Sequence, residues 1–145
     1  MHPVLEYPYR SPLKVAEVLK DIIKDKVVCD VGCACGDLMF EFSKYAKKVV
    51  GVEHEEKRAK IARERGFEVY ENTVPDADIY YVWVGDWGLP DVMEKLKGKK
   101  GRLILSEEDR RSELGGYEIE IPFDEKAKEE VDNFRKVWYL QIVEL

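Results

Sequence analysis

Between residues 12 and 105, short apolar runs alternate with longer segments of helical periodicity, and this alternation restricts the fold more than anything else in the chain. Val27 to Val31, Val49 to Val52, Phe67 to Glu71, Ile79 to Val84 and Leu103 to Leu105 are too short for helices and read as strands. The continuous apolar ones suit strands covered on both faces. Ser11-Pro12 supplies an N-cap and a proline for the first helical position, and Val15, Val18, Leu19, Ile22 and Ile23 carry that helix to about Lys24. A second helix begins near Asp37, with Leu38, Phe42, Tyr45 and Ala46 on one face. A third runs from His54 to Arg65, with Ala59 and Ala62 inward and Gly66 closing it. A short one spans Pro90 to Leu96. Parallel neighbours need crossover connections, so the pattern predicts an α/β domain with a mostly parallel sheet and helices on both faces.

The last part changes character. Tyr117, Ile119, Ile121 and Phe123 alternate with Glu118, Glu120 and Pro122, the signature of a half-exposed strand. A charged segment from Asp124 to Arg135, read as a helix or a solvated stretch, precedes a strand from Val137 to Val143. These two strands are expected to pair antiparallel at one edge of the sheet.

A chain of 145 residues accommodates one domain, 1–145, and leaves little for a separate substrate domain. The net charge of −6 argues against avid nonspecific binding to nucleic acid, which needs Lys and Arg to neutralise phosphates. A charged fraction of 37 % with two Asn and one Gln is the composition expected of a thermophile source. No apolar run approaches the ~18 residues of a membrane span, and the first residues do not read as a signal peptide, so a soluble cytoplasmic protein is expected. The three cysteines, Cys29, Cys33 and Cys35, are too few and oddly numbered for a disulfide framework. Their C-x-x-x-C-x-C spacing has no second ligand pair, and the only histidines are His2 and His54. They read as small fillers of a strand and a tight loop, and no metal is expected.

The loop in question follows the first strand: Asp30-Val31-Gly32-Cys33-Ala34-Cys35-Gly36-Asp37-Leu38. Small residues there let a ligand approach the backbone closely. A dinucleotide fingerprint would need G-x-G-x-x-G. Counting from Gly32, Ala34 and Asp37 stand where the second and third glycines belong. Glu53 ends the second apolar run, about twenty residues past the loop, where a carboxylate can accept both hydroxyls of a ribose.

Asp30-x-Gly32-x-Ala34-x-Gly36 resembles motif I of the class I S-adenosylmethionine-dependent methyltransferases, commonly [DE]-x-G-x-G-x-G, with Ala34 replacing the middle glycine. The resemblance covers roughly residues 9 to 86. It implies a Rossmann-like methyltransferase fold, with a mostly parallel seven-stranded sheet, helices on both faces and an antiparallel C-terminal strand. It also implies S-adenosylmethionine as cofactor. Asp30 would hold the loop and the methionine amino group, while Gly32, Cys33, Ala34, Gly36, Asp37 and Leu38 would line the nucleoside and methionine. Glu53 would take the ribose. His54 matches the position over the adenine or ribose, Asn72 and Thr73 the polar pair that meets the adenine amino group, and Trp83 the end of the fourth strand. Arg10, beside the Ser11-Pro12 helix start, matches the region that closes over the methionine end. The same residues have plainer readings: His54 as a helix-start polar residue, Arg10 as a surface charge, Trp83 as core or lid packing, Asp86 as a loop acid.

The acceptor is not written in the sequence. Val82-Trp83-Val84-Gly85-Asp86-Trp87 lacks the prolines of [DN]-P-P-[YFW], which disfavours adenine amino groups and glutamine amides. Ser106-Glu107-Glu108 stands where the K-D-K-E tetrad of ribose 2′-O-methyltransferases wants a lysine. A small molecule, a protein side chain or an RNA presented by a partner stay open, as do a homo-oligomer and a larger partner subunit. No catalytic residue is assigned, because the sulfonium is already electrophilic and placement supplies much of the acceleration. Two other classes compete with the enzyme: a non-catalytic cofactor-binding or scaffold subunit on the same fold, and a nucleotide-binding oxidoreductase fragment.

Overall fold

The computed structural model describes residues 14–83, 89–108, 117–122 and 137–145. The apolar runs form strands β1 (Val27–Val31), β2 (Lys48–Val52), β3 (Glu68–Tyr70), β4 (Ile79–Trp83) and β5 (Arg102–Glu108). The two terminal runs form β6 (Tyr117–Pro122) and β7 (Val137–Glu144). They join in one mixed sheet in the order β3-β2-β1-β4-β5-β7-β6. Pairing is parallel from β3 through β5 and antiparallel at β7 and β6. The order reverses at β1, since the chain leaves it first toward β2 and returns to its other side as β4. That reversal opens a crevice at the carboxyl ends of β1 and β4, where open α/β sheets bind ligands.

Alternate strand residues feed two apolar clusters. Val28, Val49, Val69, Ile79, Tyr81 and Ile104 pack with Val15, Leu19, Ile23, Met39, Phe42, Ala59 and Ala62. Cys29, Val31, Val50, Val52, Tyr80, Val82, Leu103 and Leu105 form the second, with Leu96. The first set of partners comes from the helices before β3: α1 (Lys14–Val18), α2 (Lys20–Ile23), α3 (Asp37–Phe42) and α4 (Glu56–Glu64). The remaining helix among the described residues, α5 (Leu89–Lys95), sends Met93 to the second cluster.

Several boundaries differ from the sequence reading. The first helix breaks at Leu19, whose carbonyl accepts from both Ile22 and Ile23 N–H (2.9 and 3.0 Å). Its expected start at Ser11-Pro12 lies outside the described residues, as do the segment 124–135 and Asp86. The helix after the loop ends at Phe42 rather than near Ala46, and Ser43 Oγ donates to Phe40 O (2.6 Å). Met39, absent from the predicted apolar face, is fully buried. As the sequence reading has it, no helix joins β3 to β4; the intervening residues 71–78 run across the second cluster with Val74 and Ala77 against it. Asp78 anchors their end, since Val27 N–H donates to its Oδ2 (2.8 Å) and its own N–H donates to Val27 O (2.9 Å).

Candidate functional site

The loop after β1 is drawn in toward β2. Gly32 and Cys33 N–H donate to Val52 O (2.7 and 3.0 Å), Ala34 N–H donates to Glu53 Oε1 (2.9 Å), and Gly36 N–H donates to Cys33 O (3.0 Å). Three residues in five adopt positive φ: Gly32 at 85°, Ala34 at 50° and Gly36 at 89°. Gly32 faces open space, with nothing within 4 Å of where a Cβ would stand, so its φ alone calls for glycine there. Gly36 is required by packing as well, because a Cβ would lie 3.2 Å from the Phe67 ring and 3.3 Å from Ala62 Cβ. Ala34 holds the left-handed conformation that non-glycine residues adopt at a cost of roughly 1–2 kcal/mol.

Glu53 is the centre of this arrangement. It follows β2 directly, is 4 % exposed, and its N–H donates to Tyr70 O (2.9 Å). Its Oε1 accepts from Ala34, and its Oε2 accepts from Glu55 N–H (2.9 Å). His54 is exposed, with Nδ1 3.7 Å from Oε2. One carboxylate therefore fastens the β1 loop to the β2 end, and each oxygen retains lone-pair capacity for a further donor. Asp30, also 4 % exposed, sits in β1 opposite Gly51 and Tyr81. Cys33 feels both acids: burial first, and then the charges of Asp30 and Glu53, push its thiol well above the ordinary range.

Gly51, inside the second apolar run, makes room for the loop from below. A Cβ on it would lie 2.6 Å from Cys33 Sγ and 2.8 Å from Met39 Sδ. Asp37 begins α3 and turns to Arg65, whose Nη1 donates to Asp37 Oδ1 and to Cys35 O, both at 2.7 Å. Sequence reasoning missed Arg65; its one signal was its place beside the helix-closing Gly66.

The structure thus gathers Asp30, Gly32, Cys33, Ala34, Gly36, Asp37 and Glu53 at the ends of β1 and β2, with Leu38 half-buried behind them. Asn72 and Thr73 are exposed in the segment after β3. Trp83 ends β4, where it pairs with Ser106 of β5. Arg10 lies outside the described residues. Among the described residues, no group of three or more His, Cys, Asp or Glu is placed to hold a metal ion. None of their helices is long and apolar enough to cross a membrane. A cleft of about 620 Å³, lined by Lys26, Asp76, Tyr80 and Arg102, lies at the opposite end of the sheet, by the amino ends of β1, β4 and β5.

No protein-family model matches this chain. No curated protein matches it by sequence. Solved structures do. A hypothetical protein of Thermus thermophilus superposes with a TM-score of 0.67 at 15 % identity, over 100 % of this chain and 92 % of that one. The C-terminal domain of precorrin-6Y C5,15-methyltransferase from Rhodobacter capsulatus gives 0.66 at 10 % identity, over 94 % and 91 %. The plantazolicin methyltransferase BpumL, in complex with SAH, gives 0.56 at 10 % identity, over 91 % and 82 %. With its strand order, its antiparallel end and these likenesses, the chain has the Rossmann-like fold of the class I S-adenosylmethionine-dependent methyltransferases.

Proposed function

We propose that this protein is an S-adenosylmethionine-dependent methyltransferase whose cofactor lies over the loop at residues 32–36. The observation that carries the reading is Glu53, a buried carboxylate fixed at the end of β2 and bonded to the loop that follows β1. Two further features favour a sulfonium nucleoside over a pyrophosphate dinucleotide. The N–H groups of Gly32, Cys33, Ala34 and Gly36 all donate within the protein, so they do not form a phosphate cradle. Asp30 and Glu53 put negative charge where a cationic sulfonium and an ammonium are welcome and a pyrophosphate is not. BpumL, with the same fold, binds SAH, which fits this reading.

In the proposed complex Glu53 accepts the ribose hydroxyls, Asp30 faces the methionine amino group, and Gly32 and Ala34 let the backbone approach. Asn72, Thr73, His54 and Trp83 border the adenine and the acceptor side, and Arg10 the methionine end. S-adenosylmethionine supplies the electrophilic methyl group, and the chain's part is to hold donor and acceptor in line. We read the sheet as the full seven-stranded form with helices on both faces, in one domain over 1–145. Buried thiols at Cys29, Cys33 and Cys35, none joined in a disulfide, suit a reducing, cytoplasmic compartment.

Calorimetric titration with S-adenosylmethionine, S-adenosylhomocysteine and NAD tests the proposal. The first two are expected to bind and NAD is not; the reverse pattern overturns it. Glu53→Gln keeps the size but replaces an acceptor oxygen with a donor, and is expected to weaken cofactor binding about 10–100-fold. Unchanged affinity in that variant would move the ribose elsewhere. Cofactor binding without methyl transfer to any fraction of a cell extract would favour a scaffold subunit over an enzyme.

A further inference from the structure

We infer that Arg65 is a positioning residue for the cofactor loop, acting through Cys35 and Asp37 without touching the ligand. The inference rests on the proposed cofactor site for what the loop is held to do, but the hold itself is independent of any ligand.

Ala34 at positive φ holds a conformation that persists only where the surroundings over-determine it, and Gly32 and Gly36 beside it, free to take many conformations, must be held to one. The inner half of the loop is fixed by Val52 O and Glu53. The outer half is fixed from α4. Arg65 lies at the carboxyl end of that helix, and its Nη1 meets the Cys35 carbonyl and the Asp37 carboxylate at 2.7 Å each. Its side chain is 16 % exposed and that of Asp37 is 4 % exposed, so the pair is largely shielded from water and its bond is little weakened by solvent. Gly36, between the two bonded residues, is faced so closely by Phe67 and Ala62 of the same corner that a Cβ on it would lie 3.2 and 3.3 Å from them. Two kinds of contact, polar and steric, thus seat one short segment on the α4–β3 turn. Asp37 serves the cofactor site through this pair, by setting where the loop backbone lies.

Hydrogen exchange on the free protein, combined with calorimetry, separates the cases. The reporters are the amides of residues 32, 33, 34 and 36, all hydrogen-bonded; Leu103 and Ile104 in β5 are the controls. Arg65→Met keeps the apolar stem and removes the donors. It is expected to speed exchange at the loop amides about tenfold with the controls unchanged, and to raise the dissociation constant for S-adenosylmethionine by about the same factor. Arg65→Lys is expected to restore most of both. Asp37→Asn placed in the Arg65→Met background is expected to add little, as partners in one interaction do. Equal acceleration at loop and control amides, or wild-type exchange and affinity in Arg65→Met, overturns the inference. If the unaltered protein binds neither S-adenosylmethionine nor S-adenosylhomocysteine, the proposed function fails, and exchange alone decides whether Arg65 holds the loop.

Discussion

The thiols of Cys29 and Cys33 are kept neutral by where they stand. Burial, and then the neighbouring Asp30, raises Cys29 from 9.0 to about 12. Cys33 moves the same way, with Glu53 adding to the effect. The folded protein therefore keeps protons that an unfolded chain would release. Stability from these groups is whole below about pH 9 and is lost as pH climbs toward 12. Buried Tyr80 is raised by desolvation and adds a slope of the same sign. Urea midpoints are accordingly expected to fall between pH 9 and 11, and Cys29→Ala is expected to flatten part of that fall. An identical slope in Cys29→Ala would mean that this thiol ionises as freely folded as unfolded. In sequence, the three cysteines read as matters of size, and the space below the loop agrees: Gly51 and Cys33 are both small because they share it with Met39. Nothing in the sequence marked Asp37 as an ion-pair partner, since Arg65 stands 28 positions away and meets it only through the tertiary fold.

α2 has four residues and α3 six, far below the roughly 12–15 at which an isolated helix begins to hold together in water. Their stability comes from what they bury. In α3 that is Met39 and Phe42, both fully buried, with Phe42 edge-on to Tyr81 of β4 at 5.2 Å between ring centroids. Phe42→Ala is expected to cost about 3–5 kcal/mol, the usual range for emptying a buried aromatic site. Because α3 carries the outer end of the loop, cofactor affinity should fall with it. A loss under 1 kcal/mol by chemical denaturation would show that the helix is held by its polar contacts instead. The apolar periodicity named Phe42 correctly but continued the helix to Ala46. The chain actually leaves the helix at Ser43, where a side-chain hydroxyl takes the Phe40 carbonyl, a local competition that periodicity does not register. That β3 and β4 are joined without a helix followed only from the brevity of the segment.

At the scale of the molecule, the sheet is finished by strands from the far end of the chain. Alternation in Tyr117 to Phe123 marked a half-exposed strand, and antiparallel pairing of the last two strands was legible. That β7 inserts between β5 and β6 was not, since patterning tells which faces are apolar and not which edge a strand will find. The insertion has an energetic consequence. β7 pairs along the whole length of β5, from Arg102 opposite Glu144 to Glu108 opposite Trp138, and it sends Leu140 and Ile142 into the cluster shared with α1 through α4. Leu103, Ile104 and Leu105 of β5 are each 0 % exposed in consequence. A chain ending at residue 108 would keep every residue proposed to bind cofactor, yet would present β5 as a long apolar edge, an aggregation template. Such a truncated chain is expected to lose cooperative thermal unfolding and to sediment as aggregates rather than as a monomer. A monomer that still melts cooperatively would mean that the half bearing the loop folds without its antiparallel cover. The proposed cofactor site would then be an autonomous unit, rather than one that depends on a strand closing the opposite side of the sheet.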